Sequence, residues 1–166
     1  MCSSDLTLAL IMAGGTATQQ IGEEQYYRIK ASAPITNGQV VMFTGAVGAS
    51  GVPTGAPATG ISDGTYIMGI AAESIALNGF GLIQSFGTLR GINTSTYTDG
   101  AILYYDPTVT GGFTSTRPAK DKTQVVVAAV ANAANNGTLA IRITYLPEFG
   151  DLVNVNISSQ IGRAHV

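Results

Sequence analysis

The chain of 166 residues holds a single cysteine, a single histidine and no tryptophan, and the first two sit at its very ends as Cys2 and His165. Its body therefore lacks the base that a Ser-His-Asp or Cys-His nucleophile needs. The soft-ligand zinc sites go with it, because they are built from Cys and His. One cysteine closes no disulfide within the chain, so cysteine usage says nothing about the redox compartment. Charge is also scarce. Only 11% of residues are charged and the formal net charge is −2, which excludes the clustered Lys and Arg that a phosphate backbone demands. No segment approaches the ~20 consecutive apolar residues of a membrane span. Neither nucleic acid nor membrane is thus expected as a partner.

The ends carry a second peculiarity. The terminal Ile161-Gly162-Arg163-Ala164-His165 can be encoded by ATC GGA AGA GCA CAC. The reverse complement of that string reads Val or Met, then Cys, Ser, Ser and Asp, which is how the chain begins. A protein has no physical reason to start with the antisense of its own tail, and the string resembles a common sequencing adapter. Residues 1–6 and 161–166 are accordingly expected to be translated adapter on a metagenomic fragment, and are set apart from fold reasoning. The expected organisation is then a lead segment at 7–22, a β domain at 23–146 and the start of a truncated following segment at 147–160. The apolar stretch at 7–13 reads as a strand or short helix, with a signal-peptide remnant as the alternative.

What the body does have is Gly, Ala, Thr and strand formers, punctuated by turn signals. Asn37-Gly38, Asp63-Gly64, Asn78-Gly79, Asp99-Gly100 and Asn136-Gly137 each precede an apolar run. Asn and Asp tolerate positive φ and Gly takes it freely, so these dipeptides reverse the chain between strands. Tyr27, Ile29 and Ala31 alternate with Tyr26, Arg28 and Lys30, and Leu139, Ile141, Ile143 and Tyr145 alternate with Arg142 and Thr144. Each reads as a strand with one wet face. Segments 39–43, 66–70 and 125–130 are apolar on both faces and belong at the centre of a sheet or beneath a partner. Gly81 marks a bulge or close packing. Residues 71–77 are the one place where a helical turn or two is expected.

The segment from Gly38 to Thr44 also aligns with that from Gly100 to Asp106. The match continues through Gly51-Val52 with Gly112-Phe113, Pro57-Ala58 with Pro118-Ala119, Gly69-Ile70-Ala71 with Ala129-Val130-Ala131, and Asn78-Gly79 with Asn136-Gly137. Both stretches follow one plan of strand, glycine-rich hairpin, Pro-Ala turn, apolar strand, Asn-Gly and strand. The predicted fold is all-β: a compact β-barrel or β-sandwich of about eight to ten short strands in two similar ββββ halves, near 38–84 and 100–142, about a pseudo-twofold axis.

Chemistry-bearing residues are few. Glu23, Glu24, Asp63, Glu73, Asp99, Asp106, Asp121, Glu148 and Asp151 are the acids of the body. A carboxylate pair among them would be needed for acid–base catalysis; turn chemistry already accounts for Asp63, Asp99 and Asp106. The glycine-rich 45–51 is not followed by Gly-Lys-Ser/Thr and leads into a strand, so it reads as a hairpin tip rather than a phosphate cradle. Arg117, Lys120 and Lys122 form a small basic loop around Asp121. Asn93, Asn136 and Asn156 head glycosylation-type triplets of the kind that chance supplies in such a composition. Tyr26-Tyr27 and Tyr104-Tyr105 could offer aromatic faces to a sugar, one tyrosine of each pair facing the core and the other solvent or a neighbouring subunit. No catalytic, cofactor-binding or metal-ligating residue is assigned, and no cofactor is expected.

Low charge with positive mean hydropathy suggests a surface partly covered by other chains. Across about 22–145, the punctuation carried by 37–41, 66–71, 99–105 and the Gly111-Gly112-Phe113-Thr114 turn resembles that of β-rich virion proteins of tailed bacteriophages, of the head-fibre, decoration or tail-fibre type. The resemblance implies a non-enzymatic structural role in the virion, through assembly with copies of itself (a trimer favoured) and other virion proteins. The alternative expectation is a carbohydrate-binding adhesion module at a cell surface or fibre tip, with a host-surface glycan as partner.

Overall fold

The computed structural model describes residues 24–60, 66–118 and 124–146. The expectations for both chain ends, for segments 7–22 and 147–160, for the Asp63-Gly64 turn and for Lys120, Asp121 and Lys122 lie outside these residues. So do Glu23, Glu148, Asp151 and Asn156.

Nine strands account for most of the described chain: β1 (Gln25–Ala31), β2 (Val40–Val47), β3 (Val52–Pro57), β4 (Ile67–Ala71), β5 (Phe80–Ile92), β6 (Ile102–Asp106), β7 (Gly112–Thr114), β8 (Val125–Asn132) and β9 (Gly137–Tyr145). The fold is all-β, with a closed five-stranded barrel and further strands extending from it. The four turn dipeptides within the described residues lead into β2, β5, β6 and β9. At the second of these, Asn78 itself takes the left-handed conformation, with φ 62°. The glycine-rich 45–51 forms the β2–β3 hairpin, with a short 3-10 turn at Gly48–Ser50. Residues 71–77 are not helical. They leave β4 through a bend, and Ile75 pairs with Ile35 through two backbone hydrogen bonds of 2.9 and 2.8 Å. Both isoleucines are buried, so the segment's apolar content is spent on a β-bridge.

The barrel runs β1-β3-β2-β4-β5 and returns to β1. Every pairing is antiparallel except β1–β3, a short parallel contact through Lys30–Thr54 and Ala31–Gly55. From the far end of β5 the sheet continues as β9-β8-β6-β7. The internal repeat is visible in this order: β3-β2-β4-β5 in the first half answers to β7-β6-β8-β9 in the second, with antiparallel neighbours throughout. The order reads the same outward from the antiparallel β5–β9 pair in either direction, as a pseudo-twofold between those strands would give. In the first unit β1 pairs with the start of β5, Lys30 opposite Phe80; in the second, the end of β5 pairs with β9, Arg90 opposite Thr138. The thirteen-residue β5 is thus the last strand of one unit and the first of the next, and the units succeed each other along it.

This arrangement explains the strands that are apolar on both faces. Neighbouring residues in a strand point to opposite sides. Val41, Met68 and Ala71 join Ile29, Ala31, Ile35, Ile75 and Ile83 in the barrel interior. Their neighbours Val40, Ile67 and Ile70 join a second core with Leu89, Leu103, Tyr105, Val125, Val127, Val130, Leu139 and Ile141. All five residues of β4 are buried. The cover over β2 and β4 is therefore the second unit of the same chain. A five-stranded barrel leaves little room inside, and a side chain at Gly55 would meet Ile29 Cδ1 at 2.7 Å and Val41 Cγ1 at 2.9 Å. Gly81 is likewise a place of close packing, here against Ile75.

Candidate functional site

The barrel is closed at one end by the Ile35–Ile75 bridge and open at the other. Following each strand two residues outward from its buried interior position gives the next interior layer: Tyr27 beyond Ile29, Phe43 beyond Val41, Pro53 beyond Gly55, Tyr66 beyond Met68 and Ser85 beyond Ile83. Those five residues line a cup of about 430 Å³ at the barrel mouth, together with Ile67, Met68, Ile143 and Tyr145. All five barrel strands, or residues flanking them, contribute to its wall, and the end of β9 completes it.

The cup is aromatic and open to solvent. Tyr27 is 49%, Phe43 43%, Tyr66 61% and Tyr145 46% exposed. Phe43 and Tyr66 meet edge to face with ring centroids 5.5 Å apart. Tyr145 is anchored where β9 passes β4, its hydroxyl accepting a hydrogen bond from the Ile67 amide at 2.6 Å. Burial pushes the Tyr145 hydroxyl above its ordinary pKa; the Ile67 amide opposes this, and the neighbouring Tyr66 adds to it. The Ser85 hydroxyl donates to the Gln25 carbonyl at 3.3 Å. Among the described residues no Asp, Glu, Lys or Arg lines the cup.

The tyrosine pairs singled out by sequence fare differently. Tyr105 is fully buried and its hydroxyl donates to the Gly60 carbonyl at 2.8 Å, while Tyr104 is half-buried. That pair divides between core and surface as expected, but Tyr105 presents no face to a ligand. Neither member of the other pair is buried: Tyr26 is half-buried, its hydroxyl donating to Glu24 at 2.6 Å, and Tyr27 belongs to the cup. Tyr66, Phe43 and Tyr145 were not expected there. Their signal is an aromatic residue two positions from an apolar one in the same strand row, but sequence alone does not tell which rows meet.

The four described acids serve four separate local structures. Glu24 accepts from Tyr26; Glu73 accepts from the Leu82 amide at 2.9 Å; Asp99 accepts from the Ala133 amide at 2.6 Å; Asp106 accepts from the amide and hydroxyl of Thr108. Among the described residues no group of three His, Cys, Asp or Glu could hold a metal ion. Arg117 directs its guanidinium to the Gln124 side-chain oxygen, at 2.9 and 3.1 Å. The Asn93 side-chain oxygen is held by the amide and hydroxyl of Ser95. No protein-family model matches the chain, and no curated protein matches it.

Proposed function

We propose that this chain is a non-enzymatic structural protein of a tailed-phage virion, a head fibre, capsid decoration or tail fibre, that works by assembling with copies of itself. One observation carries the reading. The double-sided strands are satisfied within the chain, yet Leu77, Phe80, Phe86, Ile102 and Val109, all outside the cup, are 42–55% exposed on a surface poor in charge. Covering such groups gains about 25 cal/mol for each Å² of apolar surface removed from water. Sparse charge leaves little electrostatic repulsion to hold copies apart. Phe80 is the most instructive of the five, because Arg28 lies over its ring at 5.0 Å and gives it a polar edge. Assembly with copies of the chain, a trimer favoured, and with other virion proteins covers this surface.

Size-exclusion chromatography with light scattering over a wide concentration range tests the reading. A stable trimer or larger closed oligomer is expected, weakened by Phe80→Ser with the fold retained by circular dichroism. A protein that stays monomeric and soluble at high concentration would overturn it.

A further inference from the structure

From the barrel mouth, we infer a binding site for a neutral saccharide, a site that does not rest on the assembly reading. The argument starts from what a small closed barrel does with its interior. Each strand continues its inward-facing row until the barrel ends, and at the closed end that row is sealed by buried Ile35 and Ile75. At the open end the same rows reach Tyr27, Phe43 and Tyr66, above the buried floor of Met68. Three large rings left in water at the rim of a concavity are a costly way to end a core. They become useful when a flat, partly apolar molecule lies against them.

Three properties of the cup select the molecule. Its volume of about 430 Å³ is that of a small-ligand site, larger than a single side chain would fill. Its polar groups are hydroxyls, those of Tyr27, Tyr66, Tyr145 and Ser85, able to donate or accept. Among the described residues no charged side chain lines it, so these walls offer an anionic or cationic ligand no partner for the hydration it would lose. A sugar ring meets all three conditions: a C–H face for the aromatic rings, equatorial hydroxyls for the tyrosine and serine oxygens, and no charge. Tyr145 and Ile143 come from the second unit, so the wall joins both halves of the molecule. Its anchoring to the Ile67 amide holds Tyr145 in place before any ligand arrives.

The full chain tests this directly. It has no tryptophan and seven tyrosines, three of them in the cup, so tyrosine emission reports binding there. The protein is titrated with glucose, galactose, N-acetylglucosamine and their neutral disaccharides, with sialyllactose as the charged comparator, and is screened in parallel on a glycan array. At least one neutral sugar is expected to change the emission saturably. Tyr27→Ala and Tyr66→Ala, both at exposed positions, are expected to weaken that sugar by about tenfold or more each. Tyr104→Ala leaves it unchanged. Light scattering on the same variants separates this site from a subunit contact. Absence of binding to every neutral glycan overturns the inference, as does binding indifferent to both cup variants. An oligomer that dissociates in Tyr66→Ala, with no sugar bound by the parent, overturns it too and assigns the cup to a neighbouring copy.

Discussion

At the scale of single residues, Gly111 shows how the two units are fastened. It sits in the β6–β7 turn with φ 67°, where its N–H donates to the Ala58 carbonyl at 2.7 Å and its carbonyl accepts from the Val40 amide at 2.9 Å. The turn thereby adds to the end of the barrel as though it were a further strand. A side chain there would require a left-handed conformation and would meet Gln39 Cβ at 2.7 Å. Gly111→Ala is expected to cost about 1–3 kcal/mol, the range of strained backbone and overpacking, seen as a lower urea midpoint without change in the oligomeric state. An unshifted midpoint would show that the turn is not a fastening. Tyr97 makes a comparable bond within the second unit, its ring against Phe113 and its hydroxyl donating to the Phe113 carbonyl at 2.9 Å. Burial raises its pKa above the ordinary 10.0; a hydrogen bond from Thr96 opposes this, and Asp106 adds to it. The folded state therefore holds this proton more tightly than the unfolded chain. Its contribution is complete below the unfolded value and is lost as pH rises through the folded one. Denaturation at neutral pH and at about pH 11 is expected to show a steeper loss for the parent than for Tyr97→Phe. Equal losses would remove Tyr97 from the alkaline response.

At the scale of elements, the sequence is legible where one local rule decides the outcome and silent where distant strands do. Alternation places Ile29 and Ala31 inside, and Asn-Gly or Asp-Gly marks the entry to four strands, because each depends on a few neighbouring residues. The second half of β5 escapes that reading. Ser85, Gly87, Thr88, Arg90 and Gly91 carry no clean period, since the strand leaves the barrel at Phe86, pairs with β9 from there, and shifts register between Arg90 and Ile92. Its strand character comes from β9 opposite, which is remote in sequence. The 71–77 segment misleads for the reverse reason. Its Ala, Glu and Leu favour a helix locally, but the bond between Ile75 and Ile35 closes the barrel's end and overrides that preference. The cup is the hardest feature to read. It exists only because β1 meets β3, and the ladder between them rests on two residue pairs. Without that closure Tyr27, Phe43 and Tyr66 are three unrelated aromatics on separate strands or their flanks.

At the scale of the whole molecule, the duplication is an arrangement of cores as much as of sequence. The repeat between the stretches from Gly38 and Gly100 was readable in the chain, and the strand orders agree with it; how the units join was not readable, because they share a strand. The barrel has its own interior, but the outer faces of Val40, Ile67 and Ile70 are buried in one core with Leu103, Tyr105, Val125 and their neighbours from the second unit. The second unit in turn has no closed ring of its own among the described residues: its sheet ends at the three-residue β7, and β5, its first strand, is anchored in the barrel. Neither unit can separate without exposing most of the larger core. Cooperative unfolding of the two together is the consequence, despite the repeat. Leu103→Ala provides the sharpest test, since Leu103 is fully buried in the second unit and its loss is expected to cost about 2–5 kcal/mol. On heating that variant, amide signals from Ile29 and Val41 inside the barrel should vanish together with those from Val127, at one lowered temperature. Barrel signals that outlast those of β8 would mean that the first unit stands alone, and that the shared core is a docking surface between two folding units.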